Sequence, residues 1–319
     1  MTGDGNTEGG SNWERDVLKK LAFAAISEQR RARRWGIFFK LLGFAYLTLV
    51  LLMLVDWRSD DGITGGKHSA LVDLTGVIQA KGSASADNVI SALQGAFKDK
   101  NTKGVILRVN SPGGSPVQAG IIYDEIRRLR RKYPNVPVYA VVEDICASGG
   151  YYVASATDKI YVDKASIVGS IGVIMDQFGF TGTMEKLGVE RRVITAGENK
   201  AFLDPFSPLR PEDVEHAHEL LNEVHRQFID VVKKGRGKRL KESPELFSGL
   251  MWTGAKSIEL GLADGYGSVD SVARDVIKAE DIVDYTRKEN VAERIARRFG
   301  AALADAFGFS ADARAPRLR

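Results

Sequence analysis

From residue 69 onward, short apolar runs alternate with longer amphipathic stretches, and that alternation leaves few folds open. ALVDLTGVI (70–78) starts a strand, SADNVISALQGAFKD (85–99) is a helix opened by a Ser or Asp cap, and GVILRVN (104–110) is a strand of buried type. SPVQAGIIYDEIRRLRRKY (115–133) then sets Val117, Ile121, Ile122, Ile126, Leu129 and Tyr133 on one helical face, before VPVYAVV (136–142) supplies the next strand. Repeated β-α-β order predicts an α/β fold with a mainly parallel sheet and right-handed crossovers. In such sheets, ligands and reacting groups gather at the carboxyl ends of the strands. Two glycine-rich turns fall there: NSPGGSP (110–116) and DICASGGYY (144–152).

The second turn places one serine, Ser148, before two glycines at the start of a predicted helix. A serine that attacks a carbonyl needs a base for its proton and two N–H groups aimed at the developing oxyanion. At a helix N-terminus the N–H groups of Ser148 and Gly149 have no partner inside the helix, and the dipole favours negative charge. Gly113 and Gly114 would let the neighbouring strand end approach closely enough to present the second donor. The same letters also describe a serine N-cap and two tight turns, so spacing alone leaves both readings open.

Composition bounds the rest. A chain of 319 residues with 44% hydrophobic and 27% charged residues fits one main domain plus appendages. Its 45 basic residues face 41 acidic ones, and the body has no long basic block or basic-aromatic stripe, so no nucleic-acid partner is expected. Cys146 is the single cysteine, which rules out an intrachain disulfide, and it reads as a small buried hydrophobe. The run WGIFFKLLGFAYLTLVLLMLVDW (35–57) carries Lys40 near one end, where it can snorkel, and predicts a transmembrane anchor. Arg30, Arg31, Arg33 and Arg34 precede it and Asp56, Asp60 and Asp61 follow, which keeps the N-terminus in the cytoplasm and the later residues outside. A cleaved signal peptide fits less well, because VDWRSDDG offers no small-x-small site. The expected layout is a cytoplasmic tail and juxtamembrane helix (1–34), the anchor (35–57), a linker (58–69), the main α/β domain (70–280), and a C-terminal amphipathic helix with a basic tail (281–319). Within the first part, the Gly-rich residues 1–12 read as disordered.

Four segments in order, VNSPGGSPVQAG (109–120), ICASGGYYVASATDKIY (145–161), ASIVGSIGVIM (165–175) and LMWTGAKSIELGLADGYGSVD (250–270), resemble the signal peptide peptidase A family of membrane-anchored serine proteases. The similarity covers roughly 70–276 and corresponds to the half-length form with one catalytic domain. It implies a ClpP/crotonase-like fold, Ser148 as nucleophile, and Gly114 and Gly149 as oxyanion donors. It further implies Lys200 as the base and Ser170 as the accessory serine that orients the lysine. By the same resemblance the substrates are remnant signal peptides and other short apolar peptides, met on the outer face of the inner membrane. The chains are expected to form a homo-oligomeric ring whose sites take serine and lysine from adjacent subunits, with no cofactor.

The residues themselves narrow the base only partly. Of four histidines, His68 sits beside the anchor, and no histidine lies between Ser148 and His216, a departure from the ClpP pattern. His216, His218 and His225 fall off the centre of the apolar stripe Val214, Ala217, Leu221, Val224, Phe228, Val231, and read as solvated or rim residues. A lysine base is left, but sequence alone does not select Lys200 over Lys159, Lys164 or Lys186. There is no HExxH motif, so no metal is expected, and no GxGxxG or Walker pattern, so no nucleotide. The alternatives are a protease that cuts stomatin-type membrane partners, a crotonase-like acyl-CoA enzyme, and a catalytically silent membrane scaffold.

Overall fold

The computed structural model describes residues 8–54 and 66–287, in two compact units. The first is a single helix, α1 (Glu8–Leu54). It includes Glu8–Asn12, where a disordered tail was expected; once a helix is nucleated, each added residue gains a hydrogen bond, and the helix extends over polar positions. Among the described residues no helix is long and apolar enough to cross a membrane, so the anchor expected over 35–57 is not supported. Lys40, Gly43, Tyr46 and Thr48 interrupt the apolar run, and its last residues, 55–57, lie outside the described residues. So do residues 1–7, most of the expected linker, and 288–319 of the expected C-terminal helix and tail, whose first residues, Ile282–Asp284, form a strand beside His68–Thr75 instead of a helix.

The second unit is built on β1 (His68–Thr75), β2 (Thr102–Ser111) and β3 (Val138–Ala147), connected through α2 (Ala86–Lys98) and α3 (Pro116–Lys132). Ser85 and Ser115 start the two helices by accepting the N–H groups of Asn88 and Gln118, and Pro116 suits the first turn of α3. After β3 come α4 (Gly149–Ala154), β4 (Lys159–Val162), β5 (Ile167–Gly169), α5 (Thr181–Lys186) and α6 (Pro211–Arg236). Then follow β6 (Met251–Thr253), α7 (Gly254–Glu259), β7 (Gly265–Tyr266) and β8 (Ile282–Asp284). The sheet runs β6-β5-β3-β2-β1-β8, with β4 beside the first half of β3 and β7 beside β4. Every pairing is parallel except β5 with β6. The mainly parallel α/β expectation therefore holds.

Both faces of the sheet are covered, as parallel sheets require. Val72, Leu74, Val105, Leu107 and Val109 pack with Val89, Leu93 and Phe97 of α2 and Ile122, Ile126 and Leu129 of α3. On the other face Leu71, Ile106 and Val141 pack with Val272 and Ala273. The buried face of α3 also takes in Ala119 and Tyr123, while Val117 and Ile121, expected inside, are 68% and 45% exposed. The sheet meets α3 through the 119-122-126-129 row, which leaves the 117-121 row on the flank.

α6 is locked at its C-terminal end. The buried Arg236 donates from Nε to the Gly261 carbonyl at 2.8 Å and from Nη1 to Asp264 Oδ2 at 2.7 Å. Asp264 also accepts from Arg239 Nη1 and from the Ile160 backbone N–H at the start of β4. Burial would raise the Asp264 carboxyl, but the Arg236 guanidinium and these donors hold it below the usual carboxylate range. Nearby, α6 crosses so close to the end of α4 that a Cβ on Gly235 would overlap the Ser155 carbonyl oxygen.

In a free helix, Gly→Ala is worth about 1 kcal/mol of added stability. At Gly235 the collision with backbone reverses the sign, and Gly235→Ala should cost about 2 kcal/mol, read as a lower urea midpoint with an unchanged slope. The depressed Asp264 pKa supplies stability that is complete above the ordinary value of 3.8 and lost as pH falls through the lower folded value. Asp264→Asn should lower the midpoint at neutral pH and flatten the decline between roughly pH 4 and pH 2.

Candidate active site

Strand register assembles the site. Ser111 of β2 pairs with Cys146 of β3, and Ala147 of β3 pairs with Gly169 of β5. The turns that leave these strands are therefore neighbours: Ser111–Ser115, Ser148–Gly149, and Ser170–Val173. Ser148 and Ser170 both have positive φ, 51° and 52°. A non-glycine residue held there costs about 1–3 kcal/mol and persists only where its surroundings fix it. Ser148 N–H donates to the Gly169 carbonyl at 2.8 Å and Ser148 O accepts from Tyr152 at 2.9 Å. Ser170 N–H donates to Leu250 O at 2.8 Å, and Ser170 O accepts from Gly172 at 2.9 Å.

This geometry separates the two readings of Ser148. Ser85, Ser115 and Thr253 all accept the N–H three residues on, as N-caps do. Ser148 opens α4 but its side chain makes no capping hydrogen bond. It occupies a sharp, strained strand-to-helix turn, the placement that presents a serine hydroxyl to a ligand.

Backbone donors lie beside it. Gly149 is the first residue of α4, so its N–H has no acceptor in the helix. The 113–114 segment is pinned to β1's extension by Ile78 N–H to Gly113 O and Ser115 N–H to Ile78 O, both 2.8 Å. A Cβ on Gly113 would stand 2.6 Å from the Gly149 nitrogen, and one on Gly114 would overlap the Ile78 carbonyl oxygen. Only glycine lets this segment lie against the Ser148 turn. Gly114, Ser148 and Gly149 line a small cavity of about 40 Å³, walled by Pro116, Tyr152, Gly172, Val173, Val224, Gln227 and Phe228. Tyr152 packs between Tyr123 and Phe228, with ring centroids 5.4 and 5.2 Å away.

The structure brings Ser148, Gly114 and Gly149 to one cavity with Ser170 at the adjoining strand end, whereas Lys200 does not line that cavity. Lys200 is exposed in the turns between α5 and α6, and no lysine or histidine lines the Ser148 cavity. Lys159, Lys164 and Lys186 are exposed as well. The stretch around Lys200 carries uncovered apolar side chains, among them Phe178 (78% exposed), Leu187 (72%) and Ile194 (98%).

The histidines divide. His216 and His218 are exposed, as expected of solvated residues. His225 is half-buried and its Nε2 lies 3.1 Å from the Ile171 carbonyl oxygen, a contact that its off-centre place on the helical stripe concealed. His68 is buried in β1, with Nε2 3.1 Å from the Tyr285 hydroxyl and 3.8 Å from Asp99. Among the described residues no group of three His, Cys, Asp or Glu side chains could hold a metal ion. Cys146 is fully buried, and desolvation pushes its thiol up, in keeping with its reading as a small hydrophobe. Sequence reasoning missed Tyr152 as a wall of the cavity; it placed Phe228 on the apolar stripe without showing what that stripe meets.

A mostly parallel α/β sheet whose strand ends bring a strained serine beside backbone N–H groups defines a class of α/β proteins with a polar site able to polarise a carbonyl group. Comparison narrows it. The profile of peptidase family S49 matches residues 130–283, a span that holds Ser148, Ser170 and Lys200. A putative protease of Synechocystis sp. is 33% identical over 202 residues, covering 63% of this chain and 70% of that protein. A putative signal peptide peptidase of Enterococcus faecium is 31% identical over 199 residues, 62% of this chain and 57% of that one. The chain belongs to peptidase family S49, the family of the signal peptide peptidase A proteins. It is also 46% identical over 207 residues to a Brucella abortus protein named Na(+)/H(+) antiporter NhaA, a match covering 65% of this chain and 28% of that protein. The chain thus spans less than two thirds of the length of the Brucella and Enterococcus relatives.

Because Cys146 is the only cysteine and is fully buried, a thiol reagent such as DTNB should titrate no thiol in the folded protein and one after unfolding in guanidinium. Rapid native-state labelling would contradict the packing described for β3.

Proposed function

We propose that the protein is a serine endopeptidase that uses Ser148 as nucleophile and Lys200 of an adjacent subunit as general base. The observation that carries this reading is the strained, uncapped Ser148 turn with the Gly149 N–H beside it and the Gly114 segment against it. Membership of the S49 family supports proteolysis. In the proposed reaction the Lys200 amine takes the Ser148 hydroxyl proton as Oγ attacks the peptide carbonyl. The N–H groups of Gly114 and Gly149 receive the oxyanion; one such donor is commonly worth about 10²–10³ in rate. Collapse expels the amine leaving group, which takes the proton back from Lys200, and water activated by the same lysine then hydrolyses the acyl-enzyme. Ser170, at the adjacent strand end, orients the lysine.

The exposure of Lys200 favours a base supplied between subunits. A lysine in water holds its proton, and to act as base it must be desolvated against apolar surface. Phe178, Leu187 and Ile194 offer apolar surface that a second copy would cover, and a homo-oligomeric ring would close such head-to-tail contacts. The small apolar cavity beside Ser148 supports short apolar peptides, remnant signal peptides among them, as substrates. Exposed Trp35, Phe38, Phe39, Leu42 and Phe44 on α1, preceded by Arg30, Arg31, Arg33 and Arg34, support contact of this helix with an anionic membrane surface, that of the inner membrane among them. Sodium-proton antiport draws no support from this unit, since the match covers 28% of the Brucella protein.

Hydrolysis of an apolar signal-sequence peptide should be abolished by Ser148→Ala and by Lys200→Ala. Unfolding and reassembling the two variants together should restore roughly a quarter of wild-type activity, the fraction of sites that pair an intact serine with an intact neighbouring lysine. Activity retained by Lys200→Ala sinks the base assignment, and no recovery in the mixture places both groups on one chain. Absence of hydrolysis by the assembled parent favours the acyl-CoA enzyme or the silent scaffold.

A further inference from the structure

We infer that His225 is a positioning residue that holds the Ser170–Val173 wall of the Ser148 cavity at a fixed distance from α6. The inference rests on the peptidase reading for its kinetic test only. The wall meets the site at three points: Gly169 O accepts the Ser148 N–H, Ser170 follows directly, and Gly172 and Val173 line the cavity. The buried Ile171 side chain anchors it in the core, but few backbone bonds hold it. Pairing with β6 ends at Gly169, and beyond the Ser170 N–H bond to Leu250 the backbone enters neither strand nor helix until Thr181. Ile171 is fully buried, backbone included, so its carbonyl is shut off from water and requires a donor. His225 Nε2, at 3.1 Å, provides it.

His225 reaches this carbonyl from the helix that builds the opposite wall. Val224, Gln227 and Phe228 of α6 line the same cavity, one residue before it and two and three after. A single N–H···O bond thus ties the two apolar walls together across a space of only about 40 Å³, where a small displacement changes which side chain fits. The imidazole must carry its proton on Nε2 to donate, and the ring allows no slack in the reach. The bond touches no reacting atom, so its effect falls on substrate fit.

The test compares full-length wild type with His225→Phe, which keeps a ring but removes the donor, and His225→Gln, which restores an N–H. Steady-state hydrolysis is measured on apolar peptides that differ in side-chain size at the cleaved bond, together with amide hydrogen exchange across residues 169–174. His225→Phe is expected to lower kcat/KM about tenfold for the preferred peptide, mostly through KM, and to narrow the discrimination between small and large side chains. Exchange at Gly172, whose N–H is bonded to Ser170 O, should rise in the same variant, and His225→Gln should recover both readouts to within about threefold. Unchanged exchange in His225→Phe overturns the inference, and so does a loss that Gln fails to rescue or that falls on kcat alone. If the assembled wild type hydrolyses no peptide, the peptidase reading fails by itself, and the exchange readout still decides whether His225 holds the wall.

Discussion

The site depends on parallel register more than on any one side chain. Ser111 opposite Cys146 and Ala147 opposite Gly169 set the ends of three strands level, so three separate turns open at one place. A slip of one residue in either ladder would turn the buried side chains of β3 to the other face and carry the Ser148 turn away from Gly113 and Gly114. The apolar contacts that hold the register are remote from the chemistry: Val105, Leu107 and Val109 against α2 and α3, and Ile106 and Val141 against the opposite layer. Core packing is thus what places the candidate nucleophile.

Within that frame, the strain at Ser148 is held by ordinary bonds. Its N–H is fixed by β5, its carbonyl by α4, and its flank by a backbone that can come close only because residues 113 and 114 lack a Cβ. The first and second strands of the sheet contribute as well, since Ser111 Oγ bridges the Gly76 carbonyl and the Gly113 N–H at 2.6 and 3.1 Å. Several short connections together fix a conformation that a free chain would seldom visit.

Much of this was legible in the sequence. The strand-helix alternation gave the parallel sheet, and the two glycine-rich turns marked the strand ends where Ser148, Gly114 and Gly149 meet. Other parts were not legible, for physical reasons. Whether Ser148 caps a helix or stands free of it is a matter of φ, and the same Ser-Gly-Gly letters permit either. Val117 and Ile121 fit a helical stripe, but periodicity does not say which of two adjacent rows meets the sheet. The Ile171 carbonyl that takes up His225 lies 54 residues away in sequence, and such a contact leaves no local pattern. The anchor reading came from an apolar run that extends past the described end of α1.

The exposed position of Lys200 gives the proposed enzyme a built-in form of latency. On the proposed reading, a lone copy would hold Ser148 without its base and would not turn over however well it is folded. Its output would then scale with the number of formed subunit contacts rather than the number of chains, and dilution would silence it without any inhibitor. Confinement to a membrane surface, where copies meet far more often than in bulk solution, would set the threshold at which proteolysis begins.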